Sequence, residues 1–87
     1  MIQDKDKDKM AIRPSHYQSR KGLEVWDVID AFTSDLKGVA AFDTGNIIKY
    51  ICRWSKKNGI QDLKKASMYI NHLIEHVEKI EKEKENR

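Results

Sequence analysis

Apolar positions recur at helical spacing in three stretches of the chain. From Glu24 to Leu36, the residues Val25, Ile29, Phe32 and Leu36 stand at i, i+4, i+7 and i+11, while Glu24, Asp27 and Asp30 fall off that stripe. The spacing predicts a first amphipathic helix, acidic on its wet side. After Gly38 the run Val39-Ala40-Ala41-Phe42 leads into Asp43-Thr44, either of which can cap a helix, and the pattern predicts a second helix from about Gly45 to Lys57, closed by Asn58-Gly59. A helical wheel gathers Ile47, Ile48, Ile51 and Trp54 on one face, read as the core side, and Asn46, Lys49, Tyr50, Arg53, Lys56 and Lys57 on the other. From Ile60 onward Leu63, Ala66, Ile70, Leu73, Val77 and Ile80 follow in 3-4 spacing with Ile74 widening the seam, which predicts a third helix of about 25 residues.

These elements make an all-α, three-helix domain with a long C-terminal helix. At 1.5 Å per residue the third helix reaches roughly 37 Å, against about 20 Å for each of the others, so two short partners cannot cover it. A core drawn from so short a chain seldom supplies more than about 3–5 kcal/mol alone, and the overhanging seam therefore predicts a homo-oligomer through the third helix. Residues 1–13 contain the alternation Asp4-Lys5-Asp6-Lys7-Asp8-Lys9, which offers nothing to bury and reads as a disordered charged arm. Residues 14–87 form the single helical domain. Its last turn or two, within residues 78–87, is expected to fray, supported only by pairs such as Glu78 with Lys82.

Composition adds exclusions. The 87 residues carry 17 Lys and Arg against 14 Asp and Glu, a net charge of +3, which is too weak a bias to argue nucleic-acid binding. No stretch approaches the ~18 apolar residues of a membrane span, and the start has no apolar signal segment, so a cytoplasmic protein is expected. The single cysteine, Cys52, sits in an apolar run and reads as a buried free thiol of a reducing compartment.

Charge distribution says more than its sum. Residues 24–43 hold five acids and one base, whereas residues 49–65 hold six bases and one acid. Two readings stay open: charged faces that meet each other or water, or a site for an anion. Asn46, Lys49, Arg53 and Lys57 follow at i, i+3, i+7 and i+11 and would form a row able to hold phosphate, with Arg53 supplying a planar fork and Lys49 a point charge. Backbone N–H groups at Asp43-Thr44-Gly45 would add to it if the helix starts there. No Walker-type or GxGxxG loop is present, so side chains must do the holding. Glu24 and Asp27 at i, i+3 are candidate Mg²⁺ ligands, but no second acidic pair follows, which argues against an all-α nucleoside triphosphate pyrophosphatase. His72 and His76 stand at i, i+4 without an evident third ligand and read as surface histidines. Trp26 and Trp54 read as core or interface residues, and His16-Tyr17 either as a dipeptide able to stack on a base or supply a donor or, with at least equal weight, as Tyr17 packed on the helices.

The string His16-Tyr17, then Glu24-Val25-Trp26-Asp27-Val28-Ile29, then Gly45-Asn46-Ile47-Ile48-Lys49-Tyr50-Ile51-Cys52-Arg53, then Asp62-Leu63-Lys64-Lys65-Ala66 with Tyr69, resembles a small phage domain family of unknown function with the pattern HY, an acidic amphipathic helix, GNxxKYxxR and DLxKAxxYxxxxI. The likeness covers about residues 15–77. It also resembles part of a nucleotide kinase of a short-tailed coliphage that works without a Walker loop. That resemblance implies a phage accessory protein in the host cytoplasm that binds a nucleotide or other phosphate-bearing small molecule, as a kinase or as a sequestering protein. It implies His16, Tyr17, Asn46, Lys49, Arg53, Asp62, Lys65 and Tyr69 as positions of the site, with Lys57 added to the binding set by the helical row alone and Mg²⁺ required if phosphoryl transfer occurs. The alternative is a non-enzymatic helical protein that docks and modulates a host protein.

Overall fold

The computed structural model describes Ser19 and residues 21–85, and contains three α-helices with no strand among them. The charged arm, His16 and Tyr17 lie outside the described residues. Helix α1 spans Val25–Thr33, α2 spans Gly38–Arg53 and continues into a 3₁₀ turn at Trp54–Lys56, and α3 spans Ile60–Glu85. None of these helices is long and apolar enough to cross a membrane.

The first helix starts where the apolar stripe begins and stops at Thr33. There the Thr33 hydroxyl donates back to the Ile29 carbonyl (2.7 Å) and the Leu36 N–H donates to the Thr33 carbonyl (2.9 Å), closing the last turn ahead of Leu36. Val25 is buried and Ile29 half-buried, whereas Phe32 is exposed at the helix end. Ile29 reaches the backbone of α2 because position 45 is glycine: a Cβ there would stand 3.4 Å from the Ile29 Cγ2.

The second helix begins seven residues before the expected Gly45. Val39, Ala40 and Ala41 are helical rather than a lead-in, so Asp43 and Thr44 lie inside the helix and cap nothing. The anion-attracting helix start expected at residues 43–45 is therefore absent, since those N–H groups belong to the helix interior. The C-terminal end also differs. Regular helix stops at Arg53, and the chain turns through Asn58-Gly59, where Gly59 adopts φ +55° and its N–H donates to the Trp54 carbonyl (2.8 Å). Lys57 lies beyond the helix, and the expected four-residue row is cut at its last member.

The short connection sends α3 back antiparallel along α2. The two helices do not meet through the expected apolar face. They meet through Asp43, Tyr50 and Arg53 on α2 and Asp62, Ala66 and Tyr69 on α3, while Ile51, Cys52 and Trp54 are exposed. Cys52 is thus a surface thiol, contrary to its reading as a core residue. Among the described residues the buried apolar side chains are Val25, Tyr50 and Ala66. Among the described residues three of the six buried side chains, Asp43, Arg53 and Asp62, are ionisable, and the isoleucines of the amphipathic pattern line an open groove with Val28 and Phe32 instead.

Candidate functional site

The seam between α2 and α3 is closed at the turn by a buried ion pair. Arg53, 6% exposed, donates from Nε to Asp62 Oδ2 (3.1 Å) and from Nη2 to Asp62 Oδ1 (3.2 Å), the bidentate geometry that suits a guanidinium and a carboxylate. Asn58 completes the set, donating from its backbone N–H to Oδ2 (3.4 Å) and from Nδ2 to Oδ1 (3.2 Å). Burial alone would raise the Asp62 pKa. The Arg53 hydrogen bonds, those of Asn58 and the Arg53 charge outweigh it and hold the carboxyl below its ordinary value. Sequence spacing places Arg53 on a charged face that meets water, the acidic first helix or an anion. The i, i+3 and i, i+4 rules look along one helix, whereas its partner Asp62 lies across a turn.

The pH dependence follows from that direction. Folded Asp62 binds its proton more weakly than an ordinary aspartate, which titrates near 3.8. Its contribution to stability is therefore complete above that pH and is lost as pH falls through the lower folded value. In acid titrations followed by circular dichroism, the wild type is expected to lose stability steeply below pH 3.8, and Asp62→Asn to lose that portion of the slope. Identical acid limbs in the two proteins would contradict the assignment.

One turn further along the seam, three cations gather around one aromatic ring. Lys49 Nζ stands 4.5 Å from the Tyr50 ring centroid, Arg53 Cζ 4.9 Å and Lys65 Nζ 5.5 Å, and Tyr69 stacks on Tyr50 at 5.9 Å with 14° between the planes. The ring quadrupole offsets part of the mutual repulsion. Among the described residues Arg53 has Asp62 as a carboxylate partner, while Lys49 and Lys65 have none within ion-pair distance. The cluster thus carries surplus positive charge at a half-exposed surface, where a bound anion would relieve it.

The expected site residues divide accordingly. Lys49, Arg53, Lys65 and Tyr69 come together around Tyr50. Asn46 shares their helix and donates from Nδ2 to the Phe42 carbonyl (3.0 Å), which satisfies its amide locally. Lys57 lies beyond the helix, and His16 and Tyr17 fall outside the described residues. Glu24 precedes α1 and Asp27 lies in its first turn, and among the described residues no three His, Cys, Asp or Glu side chains converge as a metal site.

The seam holds a second polar pair that residue spacing does not point to. Asp43 is fully buried, and its Oδ2 lies 2.5 Å from His72 Nδ1. His72 is therefore anchored by a carboxylate, although its side chain is 58% exposed. Asp43 and His72 are 29 positions apart, so only the antiparallel register brings them together.

The DUF3310 family, described as a protein of unknown function, matches residues 12–71. The span includes every residue of the cationic cluster and ends one position before His72. No curated protein and no solved structure matches the chain.

Proposed function

The chain belongs to the DUF3310 family, whose function is unknown, and from that premise we propose that it binds a nucleotide or another phosphate-bearing small molecule in the seam between α2 and α3. The observation that carries this reading is the convergence of Lys49 and Lys65 from two helices on the Tyr50 ring, without a carboxylate for either among the described residues. In this reading the lysines hold phosphate. Arg53 directs Nε and Nη2 to Asp62 and acts by fixing the ring and the register, while the Tyr50–Tyr69 stack gives the lysine stems a rigid floor. The role proposed for the protein is that of a phage accessory protein that sequesters its ligand or presents it for phosphoryl transfer. Transfer would add a Mg²⁺ requirement, for which Glu24 and Asp27 supply candidate oxygens.

The experiment is calorimetric titration of inorganic pyrophosphate into the wild type and into Lys49→Ala and Lys65→Ala. Each variant removes one charged contact worth about 1.5–3 kcal/mol, so affinity is expected to fall roughly ten- to hundredfold with an unchanged melting curve in the absence of ligand. Lys79→Ala, on the same helix but far from the ring, should bind like the wild type. Equal affinity in all four proteins would retire the site. Adding Mg²⁺ and a nucleoside triphosphate to the same samples asks whether phosphoryl transfer occurs.

A second reading draws on the apolar groove that Val28, Phe32, Ile47, Ile48 and Ile51 leave open between α1 and α2. It makes the protein an interaction module that docks on a host protein and modulates it. Absence of any binding to pyrophosphate and nucleotides would favour it.

A further inference from the structure

Beside the cationic cluster, α2 and α3 enclose a slot of about 290 Å³ lined by Phe42, Asp43, Met68, Tyr69 and His72. Its walls are almost wholly apolar, with the Phe42 ring edge-on to Tyr69 at 5.9 Å. Two polar features interrupt them. The buried Asp43 carboxylate spends Oδ2 on His72 Nδ1 and leaves Oδ1 with no hydrogen-bond partner, an acceptor that costs free energy until a donor reaches it. The same contact orients the imidazole: with Asp43 accepting from Nδ1–H, the neutral ring presents the lone pair of Nε2.

We propose that this slot is the subsite for an amino-bearing heteroaromatic ring, the base of a nucleotide whose phosphate lies at Lys49 and Lys65. The inference rests on the phosphate-binding reading above and adds the part of the ligand that would distinguish one phosphate compound from another. Flat apolar walls suit an aromatic ring, and two acceptors, Asp43 Oδ1 and His72 Nε2, suit an exocyclic amine. Spacing agrees. Lys65 and His72 stand two turns apart on α3, roughly 10 Å at 1.5 Å per residue, a separation that a mononucleotide bridges between its 5′-phosphate and its base. Phe42, Asp43, Met68 and Tyr69 lie within the matched span of the family, and His72 lies one position beyond it.

The test is calorimetry on the full chain with three probes: AMP, purine riboside 5′-monophosphate, which lacks only the 6-amino group, and ribose 5-phosphate, which lacks the base. AMP is expected to bind tightest. Loss of the amine should cost roughly tenfold, as for one hydrogen bond to a charged group, and loss of the base more. Phe42→Ala and Met68→Ala alter side chains that are 62% and 57% exposed, so folding is not at stake. Both should weaken AMP while leaving ribose 5-phosphate unchanged. Asp43→Asn should abolish the preference for the amine, and His72→Gln, at an exposed position, reads the same effect should the buried substitution unfold the protein. Ribose 5-phosphate binding as tightly as AMP would overturn the subsite and leave the phosphate site standing. No binding of either probe would overturn both. If Phe42→Ala and Met68→Ala lower the assembly mass by light scattering and leave AMP affinity alone, the slot belongs to a second copy of the chain and the inference falls.

Discussion

Arg53→Ala is expected to lose about 3–5 kcal/mol of stability in urea unfolding, because it strands the Asp62 carboxylate, fully buried, beside Asn58 alone. Asp62→Ala should cost a similar amount by leaving the guanidinium unpaired. Arg53→Lys should recover only part of the loss, since an ammonium cannot make two parallel hydrogen bonds to Oδ1 and Oδ2. Replacing both partners together, as Arg53→Met with Asp62→Leu, should restore most of the stability, because neither charge is then buried. The proteins are compared at one protomer concentration so that assembly does not enter the differences. A loss under 1 kcal/mol in Arg53→Ala would mean that the pair is wet and contributes as surface pairs do.

The second large effect concerns mass. With Val25, Tyr50 and Ala66 as the buried apolar residues among those described, the three helices of a lone copy share too little core to offset the entropy of ordering them. Meanwhile Ile70, Ile74, Val77 and Ile80 leave an apolar stripe exposed along α3, beyond the reach of α1 and the turn. We expect light scattering to give a multiple of 10.2 kDa at micromolar concentration. Val77→Lys and Ile80→Lys should lower that mass and the melting temperature together, by placing charge in the middle of the contact. A 10.2 kDa species at several hundred micromolar with an unchanged melting temperature would refute the assembly.

The three helices and the reach of the third were legible in the sequence because apolar spacing reports helix existence directly. Orientation was not. The amphipathic rule turns a charged face toward water, and it therefore assigned Arg53 and Lys49 to solvent and Ile51, Cys52 and Trp54 to the core. The rule fails where charges are satisfied by one another. Arg53 finds Asp62 across a turn and Asp43 finds His72 across two helices, so each can be buried at the seam. The start of α2 was misread for a related reason: Asp43-Thr44 has the chemistry of a cap, and nothing local says that its carboxylate is needed elsewhere. The strings that carry the resemblance gave the truer signal. Gly45 to Arg53 and Asp62 to Tyr69 prove to be the two sides of one interface, with Tyr50 and Tyr69 stacked between them.

The two hydrogen-bonded pairs of the seam share a spacing. Ten positions separate Asp43 from Arg53 on α2, and ten separate Asp62 from His72 on α3, in each case a carboxylate followed by a nitrogen-bearing side chain. Reversing one helix against the other brings both carboxylates onto both nitrogen partners at a single alignment, and a slip of one turn breaks the two pairs at once. The arrangement works as a two-point gauge. It has no tolerance for near misses inside a copy, whereas the isoleucine stripe outside offers many nearly equal alignments. Loosening the gauge at one point, for instance with His72→Gln, should therefore leave the helices intact yet let α3 sample neighbouring alignments, seen as faster amide exchange along the seam while helical content stays constant.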